Sequence, residues 1–94
     1  MIVHRRTFVA KRGRLREAAE FVKRGAEQMG IQATVRVYIS QIGPFDSFVG
    51  EAEFEDWDQY SAFRAAEQYD DAFWEEWFAL TENGGTNEVW QLLE

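Results

Sequence analysis

The sequence predicts an α+β domain of the ferredoxin-like kind, with elements in the order strand, helix, strand, strand, helix, strand. Three observations carry that prediction. A segment of strand period lies at each end of the 94-residue chain, two more flank a Gly-Pro turn in the middle, and stretches of helical period separate them. Hydrophobic residues make up 46% and aromatics 16%, with one proline, which suits a packed core within a single domain spanning 1–94.

IVHRRTFVA, 2–10, alternates Val3, Arg5, Thr7 and Val9 on one face with His4, Arg6 and Phe8 on the other, and neither face is plainly the core. After Gly13, the apolar positions Leu15, Ala18, Ala19, Val22, Ala26 and Met29 recur at helical spacing, and Gly30 can end that helix in a left-handed conformation. On its wet side Arg16 with Glu20, Glu20 with Arg24, and Lys23 with Glu27 are spaced for ion pairs.

ATVRVYIS, 33–40, places Val35, Val37 and Ile39 on one face and Arg36 and Tyr38 on the other. GPFD, 43–46, makes the turn, and the next strand sets Phe48, Gly50, Ala52 and Phe54 against Val49, Glu51, Glu53 and Glu55. A turn centred on Pro44 and Phe45 puts Arg36 opposite Glu53, whereas a shift of one pair puts it opposite Glu51. Asp56 with Gln59 forms a helix N-terminus leading through Trp57, Tyr60 and Phe63, and Asp70 and Asp71 mark a bend or restart. NGG, 83–85, is expected to end the helix, with EVWQLL, 88–93, as the last strand.

An antiparallel sheet covered by helices on one side leaves its other face bare. That face is expected to carry Tyr38, Val49 and Phe8, and a second copy of the chain is the simplest cover, giving a two-fold homodimer whose sheets enclose a barrel. In DAFWEEWFAL, 71–80, taking about 100° per residue, the aromatic and apolar side chains spread over roughly 160°, wider than one seam against a sheet. Phe73, Trp77 and Leu80 are expected on the sheet, and Trp74 and Phe78 at a partner chain or over a pocket.

Seventeen acidic against ten basic residues give a net charge of -7, which argues against a nucleic-acid or anionic membrane partner. HRR, 4–6, and KRGRLR, 11–16, read as solvated charge. The absence of cysteine excludes disulfides and thiolate chemistry. No apolar run approaches the ~18 residues of a membrane span, and the N-terminus lacks the apolar core of a secretory signal, so a cytoplasmic location is expected.

His4, the sole histidine, is the one side chain whose ordinary pKa suits proton transfer near neutrality. His4, Arg6, Arg36, Tyr38 and Glu51 are the candidate catalytic set, on the expectation that the third strand brings Glu51 or Glu53 within reach of His4. Such a cluster in a dimer cavity can take a proton from an acidic aromatic substrate and hold the enolate. The structural alternative is an interior ion-pair network that fixes strand register. Phe8, Trp57, Trp74 and Phe78 are the candidate ligand-binding aromatics. One histidine and no cysteine leave nothing like a transition-metal set, so no metal and no cofactor are expected.

RTFVAKRGRL, 6–15, is similar to the Arg-Thr-Tyr-x-x-Lys-x-Gly-Lys-Leu stretch that closes the first strand of NIPSNAP-type proteins of the dimeric α/β-barrel superfamily. RAAEQYDDAFWEEW, 64–77, resembles their Arg followed by Asp-x-x-Trp, here Arg64, Asp71 and Trp74, and Arg12 stands where the family often has proline. The resemblance implies a βαββαβ homodimer. It also implies relatives that include cofactor-free antibiotic-biosynthesis monooxygenases, small isomerases, polyketide cyclases and haem-handling proteins. It supplies no catalytic residue, because the matching positions look structural as much as functional. Two functions are therefore expected to compete: a dimer that binds a small apolar or aromatic molecule with cofactor-free proton chemistry, and a non-enzymatic assembly dimer.

Overall fold

A computed structural model describes residues 1–30 and 33–94. It runs β1 (Ile2–Ala10), α1 (Leu15–Gln28), β2 (Thr34–Ile39), β3 (Ser47–Phe54), α2 (Trp57–Ala66), α3 (Asp71–Leu80) and β4 (Thr81–Gln91). The four strands form one antiparallel sheet in the order β2-β3-β1-β4, the ferredoxin-like arrangement expected from the element order.

β1 lies between β3 and β4, so its alternation decides what each face of the sheet becomes. Ile2, His4 and Ala10 are buried on the helix side, and Phe8 packs there against Phe48 and Trp77. Phe8 therefore does not sit on the bare face with Tyr38 and Val49, as the sequence led us to expect. Nor is HRR solvated throughout, since His4 is only 3% exposed. Strand alternation alone left the core face of β1 undecided because both faces carry arginine, and only the partner strands settle it. His4 pairs with Ala52, and Phe8 with Phe48.

The core gathers Ala10, Ala18, Ala19, Phe21, Phe48 and Leu80, with Phe73 and Trp77 packed against it. Full burial of a phenylalanine such as Phe48 contributes about 2–3 kcal/mol. Phe21, three residues after Ala18 and missing from the expected apolar stripe, completes the α1 seam against Phe73 and Trp77. Gly30 follows the helix at φ 61°, the left-handed stop expected of it. Among the described residues, none of the three expected i,i+4 ion pairs closes on α1; the one pair formed there is Arg14 with Glu17.

The β2–β3 hairpin takes the shifted register, Arg36 opposite Glu51 and Tyr38 opposite Val49, and the Arg36 ion pair runs diagonally to Glu53 at 2.6 Å. Beyond it, the expected second helix is two. Asp56 caps α2 by accepting from the Gln59 amide, and Asp70 caps α3 by accepting from the Phe73 amide. Each cap satisfies a backbone donor that the start of a helix leaves free, so residues 67–70 form a short linker between two helices.

NGG does not end the helix. α3 stops at Leu80, where the Thr81 hydroxyl donates to the Trp77 carbonyl, and β4 starts at once. NGG instead lies inside β4 as a bulge opposite the Thr7–Val9 step of β1. Gly85 has φ 98°, and a Cβ there would collide with the Thr7 carbonyl oxygen, so the close approach of the two backbones requires glycine. No helix among the described residues is long and apolar enough to cross a membrane.

Candidate functional site

Between the sheet and the helices lies a cavity of about 170 Å3. Phe8, Phe63, Phe73, Trp74 and Trp77 supply aromatic walls, while Gly25, Ala26, Gly50 and Ala52 contribute little more than backbone. His4, Arg6, Glu67 and Tyr69 bring polar groups into it.

Three parts of the chain place these polar groups. His4 and Arg6 are successive helix-facing residues of the central strand. Glu67 and Tyr69 come from the linker between the two capped helices, and Asn87 from β4 opposite Arg6. The Arg6 guanidinium donates to both Glu67 oxygens, at 2.7 and 2.9 Å, and the Tyr69 hydroxyl donates to the same carboxylate at 2.9 Å. A two-pronged guanidinium–carboxylate contact fixes orientation as well as distance, so it ties the linker to β1.

His4 Nε2 lies 2.5 Å from Asn87 Oδ1 and 3.3 Å from Arg6 Nε. One ring nitrogen cannot donate to the amide oxygen and accept from the guanidinium together. With its proton on Nε2 the ring donates to Asn87 and keeps its lone pair on Nδ1; with its proton on Nδ1 it accepts from Arg6. Tyr60 and Phe63 meet the ring edge-on at centroid distances of 5.5 and 6.4 Å.

Burial lowers the His4 pKa below its ordinary 6.5; the Asn87 hydrogen bond opposes that shift, and the positive charges of Arg6 and Arg64 add to it. The imidazole is thus neutral at pH 7, with one ring nitrogen free of its proton. Burial alone would raise the Glu67 carboxyl, but the Arg6 hydrogen bonds and charge override it and hold the group below its ordinary value. Burial also raises Tyr69, with the Glu67 charge adding to it, to about 12, so the phenol stays protonated. Chemically, the cluster is one neutral base beside a fixed cation, a paired carboxylate and a phenol.

The sequence-derived catalytic set is divided by the sheet. His4 and Arg6 meet on the helix side, whereas Arg36 and Tyr38 stand on the open face. Glu51 borders the cavity, yet its carboxylate accepts from Arg5 Nε at 2.9 Å, because successive side chains of a strand point to opposite faces. Neither Glu51 nor Glu53 bonds to His4; Glu53 accepts from Arg36. Of the ligand-binding candidates, Phe8 and Trp74 line the cavity. Trp57 instead stays half exposed against the edge of Tyr60, and Phe78 stacks on Trp74 with 63% of its surface exposed. Sequence reasoning missed Glu67, Tyr69 and Asn87. The available signal was a pair of polar side chains in EQYD, 67–70, just where the second helix was expected to break.

Among the described residues no group of three or more His, Cys, Asp or Glu side chains converges as a metal set. No family model and no curated protein sequence matches the chain. Solved structures match it in fold. A NIPSNAP domain protein of Burkholderia xenovorans superposes with a TM-score of 0.77 at 20% identity, over 99% of this chain and 95% of the other. A NIPSNAP family protein of Agrobacterium tumefaciens gives 0.77 at 18% identity, over 99% and 93%. An antibiotic biosynthesis monooxygenase gives 0.70 at 13% identity, over the whole of both chains. The fold suspected from RTFVAKRGRL and the element order is therefore the one observed, shared by NIPSNAP and antibiotic biosynthesis monooxygenase proteins.

Proposed function

We propose that the protein is a homodimeric α/β barrel that binds a small apolar or aromatic molecule between sheet and helices and moves a proton there without a cofactor. The observation that carries this reading is a buried, neutral His4 at an aromatic-walled cavity, beside a guanidinium already fixed by Glu67. His4 takes a proton from an acidic C–H or O–H of the ligand, and the anion left behind lies in the field of Arg6. An isomerase-like outcome returns the proton to another atom of the ligand. A monooxygenase-like outcome has the carbanion reduce dioxygen: an acidic CH2 of the ligand becomes C=O with one oxygen atom, and the other leaves as water with the two hydrogens.

The dimer is supported by the open sheet face, where Tyr38 is 49% and Trp90 54% exposed beside Val3 and Val49. Apolar side chains in that position favour a second sheet as cover. The same face supports the second reading, a dimer that serves assembly alone.

Native mass spectrometry of the purified protein is expected to give twice the 11.0 kDa chain mass, and a monomer at micromolar concentration would end the barrel reading. The chemistry is read by deuterium uptake at the methyl group of acetophenone in D2O, followed by proton NMR. Wild-type protein is expected to accelerate uptake, and His4→Gln to lose about a hundredfold of that acceleration while remaining dimeric. Equal uptake in both would leave the assembly reading.

A further inference from the structure

We infer that the cavity is dimensioned for an uncharged ligand built on a single six-membered ring, and that Gly25 and Gly50 set that limit. This rests on the cavity being the site of the proposed function. An apolar cavity of about 150 Å3 in another protein holds one benzene molecule. At about 170 Å3, and open on one side, the present one takes a ring with one or two substituent atoms, and a fused second ring is left projecting through the open side into water.

The walls show where the space comes from. A Cβ on Gly25 would meet only the Phe73 ring, at 4.0 Å, and one on Gly50 would meet Val22 at 3.5 Å and Phe8 at 3.8 Å. Both are ordinary contacts, and neither glycine has the positive φ that would demand it. Gly25 also lies within α1, where alanine is the better helix former. Backbone and packing thus allow alanine at both positions, and what its absence provides is room beside the aromatic wall.

Charge narrows the ligand further. Among the described lining residues, Arg6 is paired with Glu67 and Glu51 with Arg5, while burial keeps His4 neutral. A carboxylate entering the cavity would lose its hydration with no unpaired cation to replace it. A phenol or simple ketone brings one polar atom for the polar end and a ring for the aromatic end.

Titration with phenol, 1-naphthol and benzoate tests this, read by NMR from the indole N–H signals of Trp74 and Trp77, which both line the cavity. Phenol is expected to shift both signals saturably, 1-naphthol to bind no more tightly than phenol, and benzoate to bind at least tenfold more weakly. A roomy cavity would reward the second ring with roughly tenfold tighter binding, so tighter 1-naphthol overturns the size limit and leaves the cavity reading intact. Benzoate as tight as phenol overturns the charge limit. No shift with any of the three overturns the proposed function along with the inference. Gly25→Ala is expected to weaken phenol about tenfold with an unchanged circular dichroism spectrum, and Met29→Ala, which lengthens the cavity, to admit 1-naphthol. Wild-type affinity in Gly25→Ala would show that this glycine does not set the limit.

Discussion

Arg5 and Arg6 are neighbours in sequence, and each bonds a glutamate through its guanidinium, yet the two pairs belong to different environments. Arg5 reaches across to Glu51 on the open face of the sheet, where the arginine keeps 42% of its side-chain surface in water. Arg6 turns toward the helices, where it keeps 27%, and holds Glu67, whose side chain is 11% exposed against 15% for Glu51 and whose carboxylate also takes the Tyr69 hydroxyl. The pleat alone makes this difference, since it sends successive side chains to opposite faces. It turns one pair into a register contact between strands and the other into part of a site. The same division separates Phe48 from Val49 and Arg36 from Val37, so the comparison between faces can be tested by matched substitutions.

The largest contrast is apolar. Phe48 is 1% exposed and touches Phe8 and Trp77, so Phe48→Ala is expected to cost about 3–5 kcal/mol in urea unfolding. Val49→Ala, one residue along on the open face, should cost less than about 1 kcal/mol in the monomer. Comparable losses would mean that the faces are not distinguished by burial.

Next come the polar groups of the helix side. Glu67→Gln leaves Arg6 without its anion and is expected to cost about 2 kcal/mol. That is below the 3–5 kcal/mol of a fully enclosed pair, because Arg6 keeps 27% of its side chain exposed. It should also loosen the linker, read as faster amide exchange across 67–70.

His4 adds a pH dependence with a definite sign. Its folded-state pKa lies below 6.5, so the unfolded chain binds more protons in the window below that value. Stability from this group is complete above pH 6.5 and falls as pH drops toward the folded pKa, at most about 1.4 kcal/mol per pH unit. Arg6 and Arg64 deepen the loss, while Asn87 and Glu67 oppose it. The Glu67 window is separate, beginning below its ordinary 4.5. His4→Gln should flatten the curve just below pH 6.5, and an unchanged curve would place His4 in solvent.

These contrasts show why the fold was legible and the site only half so. Element order follows from period, turn and cap residues, which act over a few positions, and it survived even where a boundary did not. NGG has the composition of a helix stop, and only the closeness of the Thr7 carbonyl makes it a bulge. The site depends on facing, and facing in β1 is fixed by strands whose paired residues lie 38 to 89 positions away in sequence. With arginine on both faces, alternation placed His4 and Arg6 together but gave them the wrong glutamate. Glu67 and Tyr69 belong to no periodic element, so no pattern pointed them inward.

The smallest effect separates a monomer's open face from a dimer's. Glu51→Gln removes the partner of Arg5 in a pair that water largely screens, and in a lone chain the cost is expected to be at most about 1 kcal/mol. If a second sheet covers Tyr38, Val49 and Trp90, the same pair loses its water, and an unpaired Arg5 becomes a buried charge. The cost then rises, and because only the dimer bears it, wild type and variant should differ in how their midpoints move with protein concentration. Urea melts at 1 and 100 µM therefore read the face directly. A small loss that is the same at both concentrations keeps the open face in solvent, whereas a loss that grows with concentration makes it the inside of a barrel.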